Sequence, residues 1–261
     1  DDGHTWSDAT LIKPKNDPGF LGMSVTRMCE TSTGAWILGS HAADWSKRPL
    51  ITRQYVLRSE DKGKTWMLLP GKRPNGWFSP KYSRMDEGRP IYLGNGEAYF
   101  MARTPTGRIW EARSMDDGKT WTDPKPSPLV HPDAPPMVFH LSDGKTLVTF
   151  HHNRHINTQY TGLTGKMDGM RDRAEIWVSL SGDGGRSWSE PQFLFTNAAQ
   201  SNPAKNGWFN HNSSYMDAVI DDGTIHLFLP HLWNRALYMH LEEKDLAKLP
   251  TIKKLARRLA K

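Results

Sequence analysis

Residues 59–66 read Ser59-Glu60-Asp61-Lys62-Gly63-Lys64-Thr65-Trp66. The pattern returns as Ser114-Met115-Asp116-Asp117-Gly118-Lys119-Thr120-Trp121 and as Ser181-Gly182-Asp183-Gly184-Gly185-Arg186-Ser187-Trp188. The chain opens on Asp1-Asp2-Gly3-His4-Thr5-Trp6, the same pattern without its Ser. Successive Trp residues of the motif stand 60, 55 and 67 positions apart. A motif recurring at such a period marks a repeat architecture. Its chemistry is that of a hairpin turn. Asp accepts hydrogen bonds from turn backbone N–H groups, and Gly takes the left-handed position that other residues resist. Ser or Thr ties the two sides, and Trp fills apolar space beside the strand pair. Asp-x-Asp-x-Gly patterns also occur in calcium loops, but the twelve-residue loop ending in Glu is missing.

Between the motifs lie further turn signals: Thr33-Gly34, Asn95-Gly96, Asp143-Gly144 and Asp222-Gly223, each flanked by apolar runs. Such dipeptides predict tight hairpins. Each unit therefore reads as strand, tight turn, strand, longer loop, strand, Asp-Gly motif, strand. Four antiparallel strands make one propeller blade. Four units are predicted, over about 17–75, 86–128, 137–195 and 213–242, the last without a second motif. They form one body over residues 1–241. Residues 242–261 are rich in Leu, Lys and Arg at helical spacing and predict a basic helix or tail.

Composition agrees with this reading and excludes others. Of 261 residues, 37% are hydrophobic and 24% charged, which is globular. The 11 Trp, 22 Gly and 18 Pro suit short strands and many turns, not helix bundles. No Gly-x-y period exists, so collagen is excluded; no run of 18 apolar residues exists, so no membrane-spanning helix is expected. The single Cys29 excludes a disulfide framework and a Cys-based zinc site. A net charge of +6 is spread along the chain, with one cluster at Lys253, Lys254, Arg257, Arg258 and Lys261. That distribution fits attraction of anionic small molecules or glycans, and no nucleic-acid partner is expected.

The Ser-x-Asp-x-Gly-x-Thr-Trp repeat resembles the Asp box of the sialidase (neuraminidase) superfamily. The resemblance covers essentially residues 1–241 and implies an all-β fold, the six-bladed β-propeller of sialidase type. Asp boxes also occur in non-enzymatic propellers, so function rests on the residues between them. Glu87-Gly88-Arg89-Pro90-Ile91-Tyr92-Leu93-Gly94-Asn95-Gly96, followed by a strand ending at Arg103 and then an Asp box, is similar to the family's segment carrying a site Glu and a site Arg. Arg173, at the start of the strand running into Ser181, matches the family's third Arg, with Arg171 as competitor. Tyr215, in Ser213-Ser214-Tyr215-Met216-Asp217, resembles the nucleophile segment. The resemblance thus implies Tyr215 and Glu87 as catalytic residues, Arg103 and Arg173 as substrate-binding residues, and neither metal nor cofactor. It also implies a sialylated or other acidic glycan as partner and a secreted or periplasmic location, with any signal segment outside the stretch read here.

The chemistry is consistent on its own terms. A sialoside carries a carboxylate on its reacting carbon, and guanidinium forks bind carboxylates in bidentate fashion. A carboxylate nucleophile would be repelled by that charge; a neutral Tyr is not, and sialidases are the exception of this kind among glycosidases. With a free pKa of about 10, Tyr needs a base, and Glu87 can take its proton.

Plainer readings stand beside these. Arg103 and Arg173 are also ordinary strand-end ion-pair residues, Asp86 or Glu87 a capping residue, and Tyr215 a core aromatic. Tyr215 is one residue out of step with the family's distance to the following turn. Because strands alternate faces, that slip points it away from the site unless the backbone is locally irregular. His151-His152-Asn153-Arg154-His155, Asn210-His211-Asn212 and Pro230-His231-Leu232-Trp233-Asn234-Arg235 predict loops that could line a sugar pocket instead. The family's first Arg and its acid/base Asp precede its first Asp box. Arg27 and Asp44 are the nearest candidates here, and both fit poorly. The expectation is therefore an amino-terminally truncated propeller of about four blades, catalytically incomplete or unstable alone, with that Arg and Asp upstream of residue 1. Convergence of Glu87, Arg103, Arg173 and Tyr215 favours a sialidase-type hydrolase. Convergence of His151, His211 and His231 favours a different carbohydrate-active propeller, and the absence of any charged cluster favours a glycan- or protein-binding one.

Overall fold

A computed structural model describes residues 1–23, 27–153, 173, 175–196, 213–231 and 235–259. Among the described residues, fifteen strands form four sheets, each antiparallel and each in chain order. The first sheet holds β1 (Met28–Glu30), β2 (Trp36–Asp44), β3 (Ile51–Ser59) and β4 (Met67–Leu69). The second holds β5 (Asp86–Gly94), β6 (Glu97–Arg103), β7 (Arg108–Ser114) and β8 (Lys125–Val130). The third holds β9 (Val138–His140), β10 (Leu147–His151), β11 (Glu175–Ser181) and β12 (Gln192–Thr196). The last has three strands, β13 (Asp217–Asp221), β14 (Thr224–His231) and β15 (Arg235–Glu242).

The four predicted x-Gly turns join the first two strands of the four sheets. Gly34, Gly96, Gly144 and Gly223 all have positive φ, as tight hairpins require. The first strands, β1, β5, β9 and β13, line one cavity of about 470 Å³. This is the axial arrangement of propeller blades. Apolar side chains fill the spaces between successive sheets: Ile37 and Val56 pack with Met85 and Phe100, and Phe150 and Val178 pack with Ala218 and Leu227.

The Asp box is a local device. Ser59 Oγ accepts from Gly63 N–H at 2.8 Å, and Asp61 accepts from Thr65 N–H at 2.8 Å and from the Thr65 hydroxyl at 2.6 Å. Trp66 Nε1–H donates to Gly63 O at 2.9 Å. The boxes at Ser114 and Ser181 repeat the Ser and Asp bonds. Asp1, Thr5 and Trp6 reproduce the turn as well, yet Trp6 is 87% exposed where Trp66 is 6%. The expected packing role of the Trp therefore fails at Trp6, because the turn closes through its own hydrogen bonds and needs no core.

After β15 a 3-10 turn (Glu243–Lys248) leads to a short helix, α1 (Ile252–Leu259). On the way, Pro250 O accepts from Phe193 N–H at 2.8 Å, and Thr251 bridges Gln192. The segment thus covers the free edge of β12, which would otherwise offer unpaired backbone groups. Among the described residues no helix is long and apolar enough to cross a membrane.

Candidate active site

Glu87 lies in a bulge. Asp86 pairs with Arg103 and Arg89 with Met101, so Glu87 and Gly88 together face a single residue of β6. Glu87 has φ +48, a left-handed conformation uncommon outside Gly. The bulge breaks the alternation of β5 and frees Glu87 from the pairing. Arg103 ends β6 beside it.

Tyr215 sits two residues before β13 with φ +62. The one-residue slip seen in the sequence is thus accompanied by a left-handed residue outside the strand, where side-chain alternation does not apply. Its hydroxyl donates to Glu87 Oε1 at 2.7 Å, and Arg103 approaches the same hydroxyl oxygen at 3.3 Å. Arg103 also reaches Glu87 Oε2 at 2.5 Å. Tyr215 is 41% exposed and so open to a ligand. Burial raises its pKa; Arg103 lowers it and the Glu87 carboxylate raises it again.

Arg173 is fully buried just before β11. It donates to Ser214 Oγ at 3.1 Å and to the Asp133 carbonyl, while its Nε, also buried, has no partner among the described residues. Burial, then repulsion from Arg103, brings its pKa down to about 10. Thus Glu87, Arg103 and Tyr215 touch one another, and Arg173 joins them through Ser214, the neighbour of Tyr215, and through Asp133.

Two charged residues of this cluster, Asp133 and Arg84, escape sequence reasoning, and a third, Asp86, is read there only as a capping residue. Asp133 accepts from Arg103 Nε at 2.7 Å and lies 3.3 Å from Arg84 Nη1. Asp86 accepts from Arg84 Nε at 2.7 Å and lies 3.5 Å from Arg103 Nε. Burial disfavours the charge on both carboxylates, but the arginines outweigh it and hold both pKa values down. Burial likewise works against the charge of Arg103, and Asp133, Glu87 and Asp86 hold its pKa well above the ordinary value. Asp86 was legible only as a neighbour of Glu87. Asp133 stands in the Pro-flanked loop His131-Pro132-Asp133-Ala134-Pro135, whose one signal was an acidic residue among prolines.

The other candidates lie elsewhere. Arg27 pairs with Asp217 at 2.6 Å and stacks over Phe139, and Asp44 ends β2 at the surface, accepting from Ser46. His151 is corrected from a loop residue to a buried one. It ends β10, donates from Nδ1 to Val130 O at 3.1 Å and accepts at Nε2 from Ser179 at 2.9 Å. Its neighbour His152 is buried too, stacked on His131 with centroids 5.1 Å apart. Arg154, His155, Arg171, Asn210, His211, Asn212, Leu232, Trp233 and Asn234 lie outside the described residues, as do the side chains of His231 and Arg235. Among the described residues no group of three His, Cys, Asp or Glu comes together as a metal site.

Chemically, the cluster offers a phenol hydrogen-bonded to a carboxylate, beside two guanidinium groups. It can bind an anion and transfer a proton from Tyr215 to Glu87.

Residues 1–227 match the family model described as a BNR repeat-like domain. No curated protein matches the chain. Among solved structures, a protein of unknown function from Dyadobacter fermentans is similar at 15% identity and TM-score 0.63, over 92% of this chain and 60% of that one. The intramolecular trans-sialidase from Ruminococcus gnavus, solved with oseltamivir carboxylate, is similar at 18% identity and TM-score 0.57, over 96% of this chain and 50% of that one. The β-1,2-mannobiose phosphorylase from Listeria innocua is similar at 10% identity and TM-score 0.52, over 85% of this chain and 58% of that one. The chain spans between half and three-fifths of these proteins. Likeness at such identities speaks for the fold, which carries more than one carbohydrate chemistry.

Proposed function

The chain belongs to the BNR repeat-like domain family, and from that membership and the Tyr215 cluster we propose an exo-acting, retaining glycoside hydrolase that releases a terminal sialic acid or related acidic sugar. The observation that carries the reading is the 2.7 Å hydrogen bond from the Tyr215 hydroxyl to Glu87, with Arg103 against both.

In this reading Arg103 and Arg173 bind the sugar carboxylate, whose charge they match. Glu87 accepts the phenolic proton as Tyr215 Oη bonds to the anomeric carbon. The glycosidic C–O bond breaks, and the departing oxygen takes a proton from a general acid that these four residues do not include. Water then attacks the same carbon, giving its proton to the conjugate base of that general acid; the Tyr–sugar bond breaks, and Glu87 returns its proton to the departing phenolate of Tyr215. Arg103 sits within reach of the phenol oxygen, where its charge favours the developing phenolate.

The fit of two guanidinium groups to any carboxylate sugar makes a different acidic sugar the second reading. Initial rates on fluorogenic sialosides and on a matching uronide, with Tyr215→Phe alongside, test both. Turnover of the sialoside that falls by about 10²-fold or more in Tyr215→Phe is expected. No sialoside turnover by the folded protein would sink the first reading.

A further inference from the structure

The bulge that carries Glu87 is held less by its own sheet than by the neighbouring one. Met85 N–H donates to Thr52 Oγ1 at 3.1 Å, and that hydroxyl lies 3.0 Å from Asp86 Oδ2. Glu87 N–H points to His41 Nδ1 at 3.4 Å. Gly88 N–H donates to Gln54 Oε1 at 2.8 Å. Gln54 is fully buried, and its amide is fixed by donating at 2.7 Å to both Ser40 O and Tyr55 O. His41, Thr52 and Gln54 all belong to β2 and β3, in the first sheet. The backbones also touch: a Cβ on Gly39 would collide with the Gly88 carbonyl, and one on Gly88 with the Phe100 ring. The two bulge residues thus spend their backbone N–H groups on the first sheet, whereas regular strand residues spend theirs within the ladder.

We propose that Gln54, assisted by His41, is a positioning residue for the Glu87–Tyr215 pair, acting through the backbone of the bulge. The proposal rests on the reading of that pair as base and nucleophile. Gln54 touches no substrate. It fixes the Gly88 amide, hence the left-handed turn at Glu87, hence the place of the carboxylate under the Tyr215 hydroxyl. His41 accepts from Glu87 N–H at Nδ1, so its proton is on Nε2, and burial lowers its pKa, with Asp86 and Glu87 pulling the other way. It stands as a neutral acceptor in the same clamp.

The test combines turnover with a measurement that needs no substrate. Gln54→Leu keeps the volume and removes the acceptor; displacement of the base by this route lowers kcat by about 100-fold, since an ångström of misplacement has that effect. KM stays within about threefold, because the arginine pair is untouched. Ultraviolet titration of the phenol, read as the difference between each variant and its Tyr215→Phe derivative, reports whether Glu87 still sits beside Tyr215. In Gln54→Leu that titration moves down in pH, as the raising influence of the carboxylate is lost. Where Gln54→Leu does not fold, His41→Leu makes the same shift and His41→Asn, which places an oxygen near the Nδ1 position, restores the wild-type titration. Loss of turnover in every protein including wild type refutes the glycosidase reading, whereas the titration decides the positioning role by itself. An unchanged Tyr215 titration in folded Gln54→Leu and His41→Leu overturns the proposal.

Discussion

The Tyr215 hydroxyl meets Glu87 Oε1 across 2.7 Å, joining residues 128 positions apart in the chain. Both are in the left-handed region, at φ +62 and +48, and both lie outside regular pairing. Backbone strain of this kind, of order 1–3 kcal/mol at each residue, persists only where surrounding structure over-determines it. Here the first-sheet clamp on Glu87 and the Arg103–Asp133–Arg84–Asp86 network in contact with it do so.

Replacing Glu87 with Gln keeps the shape of the pair and removes the proposed base. The expected loss in kcat is about 10²–10⁴-fold, the usual range for a general base. Steady-state rates over pH check this. A Glu87→Gln variant with wild-type kcat would remove Glu87 from the mechanism.

Arg103 neutralises three buried carboxylates at once, those of Glu87, Asp133 and Asp86. Arg103→Ala therefore leaves uncompensated buried charge and destabilises by about 3–5 kcal/mol. Chemical denaturation measures it. A loss below about 1 kcal/mol, typical of exposed pairs, would contradict the buried network.

Acid should weaken the fold before the carboxylates titrate. Burial pushes His151 down to about 4 and His152 to about 3. The unfolded chain binds those protons first, below the ordinary histidine value of about 6.5. Stability is therefore full above that pH and declines as pH falls from there toward the folded values. Melting temperatures at pH 7, 6 and 5 should fall in sequence, and His151→Asn should flatten the slope. An unchanged melting temperature across that range would count against buried neutral histidines.

Two copies of one motif should differ sharply. Trp66 is buried against Tyr55 and Leu68, whereas Trp6 makes its turn bond and little else. Trp66→Ala should cost about 3–5 kcal/mol and Trp6→Ala less than about 0.5 kcal/mol. Equal effects in denaturant melts would show that the turn, not the packing, sets the contribution.

Much of the fold was legible because its signals are local. The Asp-Gly turns and the x-Gly hairpins determine their own geometry within eight residues, so the four units and their order follow from spacing. The candidate site was legible only through a family resemblance that pointed to Glu87, Arg103, Arg173 and Tyr215. Periodicity alone would have turned Tyr215 away, because alternation says nothing of a left-handed residue before a strand. Asp133 and Gln54 carried no pattern. Each matters through a long-range contact, from a loop to β6 for Asp133 and from the first sheet to the second for Gln54, at sequence separations of 30 and 34 residues, and such contacts leave no local trace. The reading of His151 as a loop residue failed for the same reason: its partners Val130 and Ser179 come from other strands.

In the proposed mechanism Tyr215 forms the bond to the sugar. A fluorinated sialoside with a good leaving group, whose second step is slow, should leave its sugar on the protein long enough for peptide mapping by mass spectrometry. The added mass is expected on the peptide containing Tyr215 and is absent in Tyr215→Phe. An adduct on Glu87 or another residue in folded, active protein would contradict that mechanism.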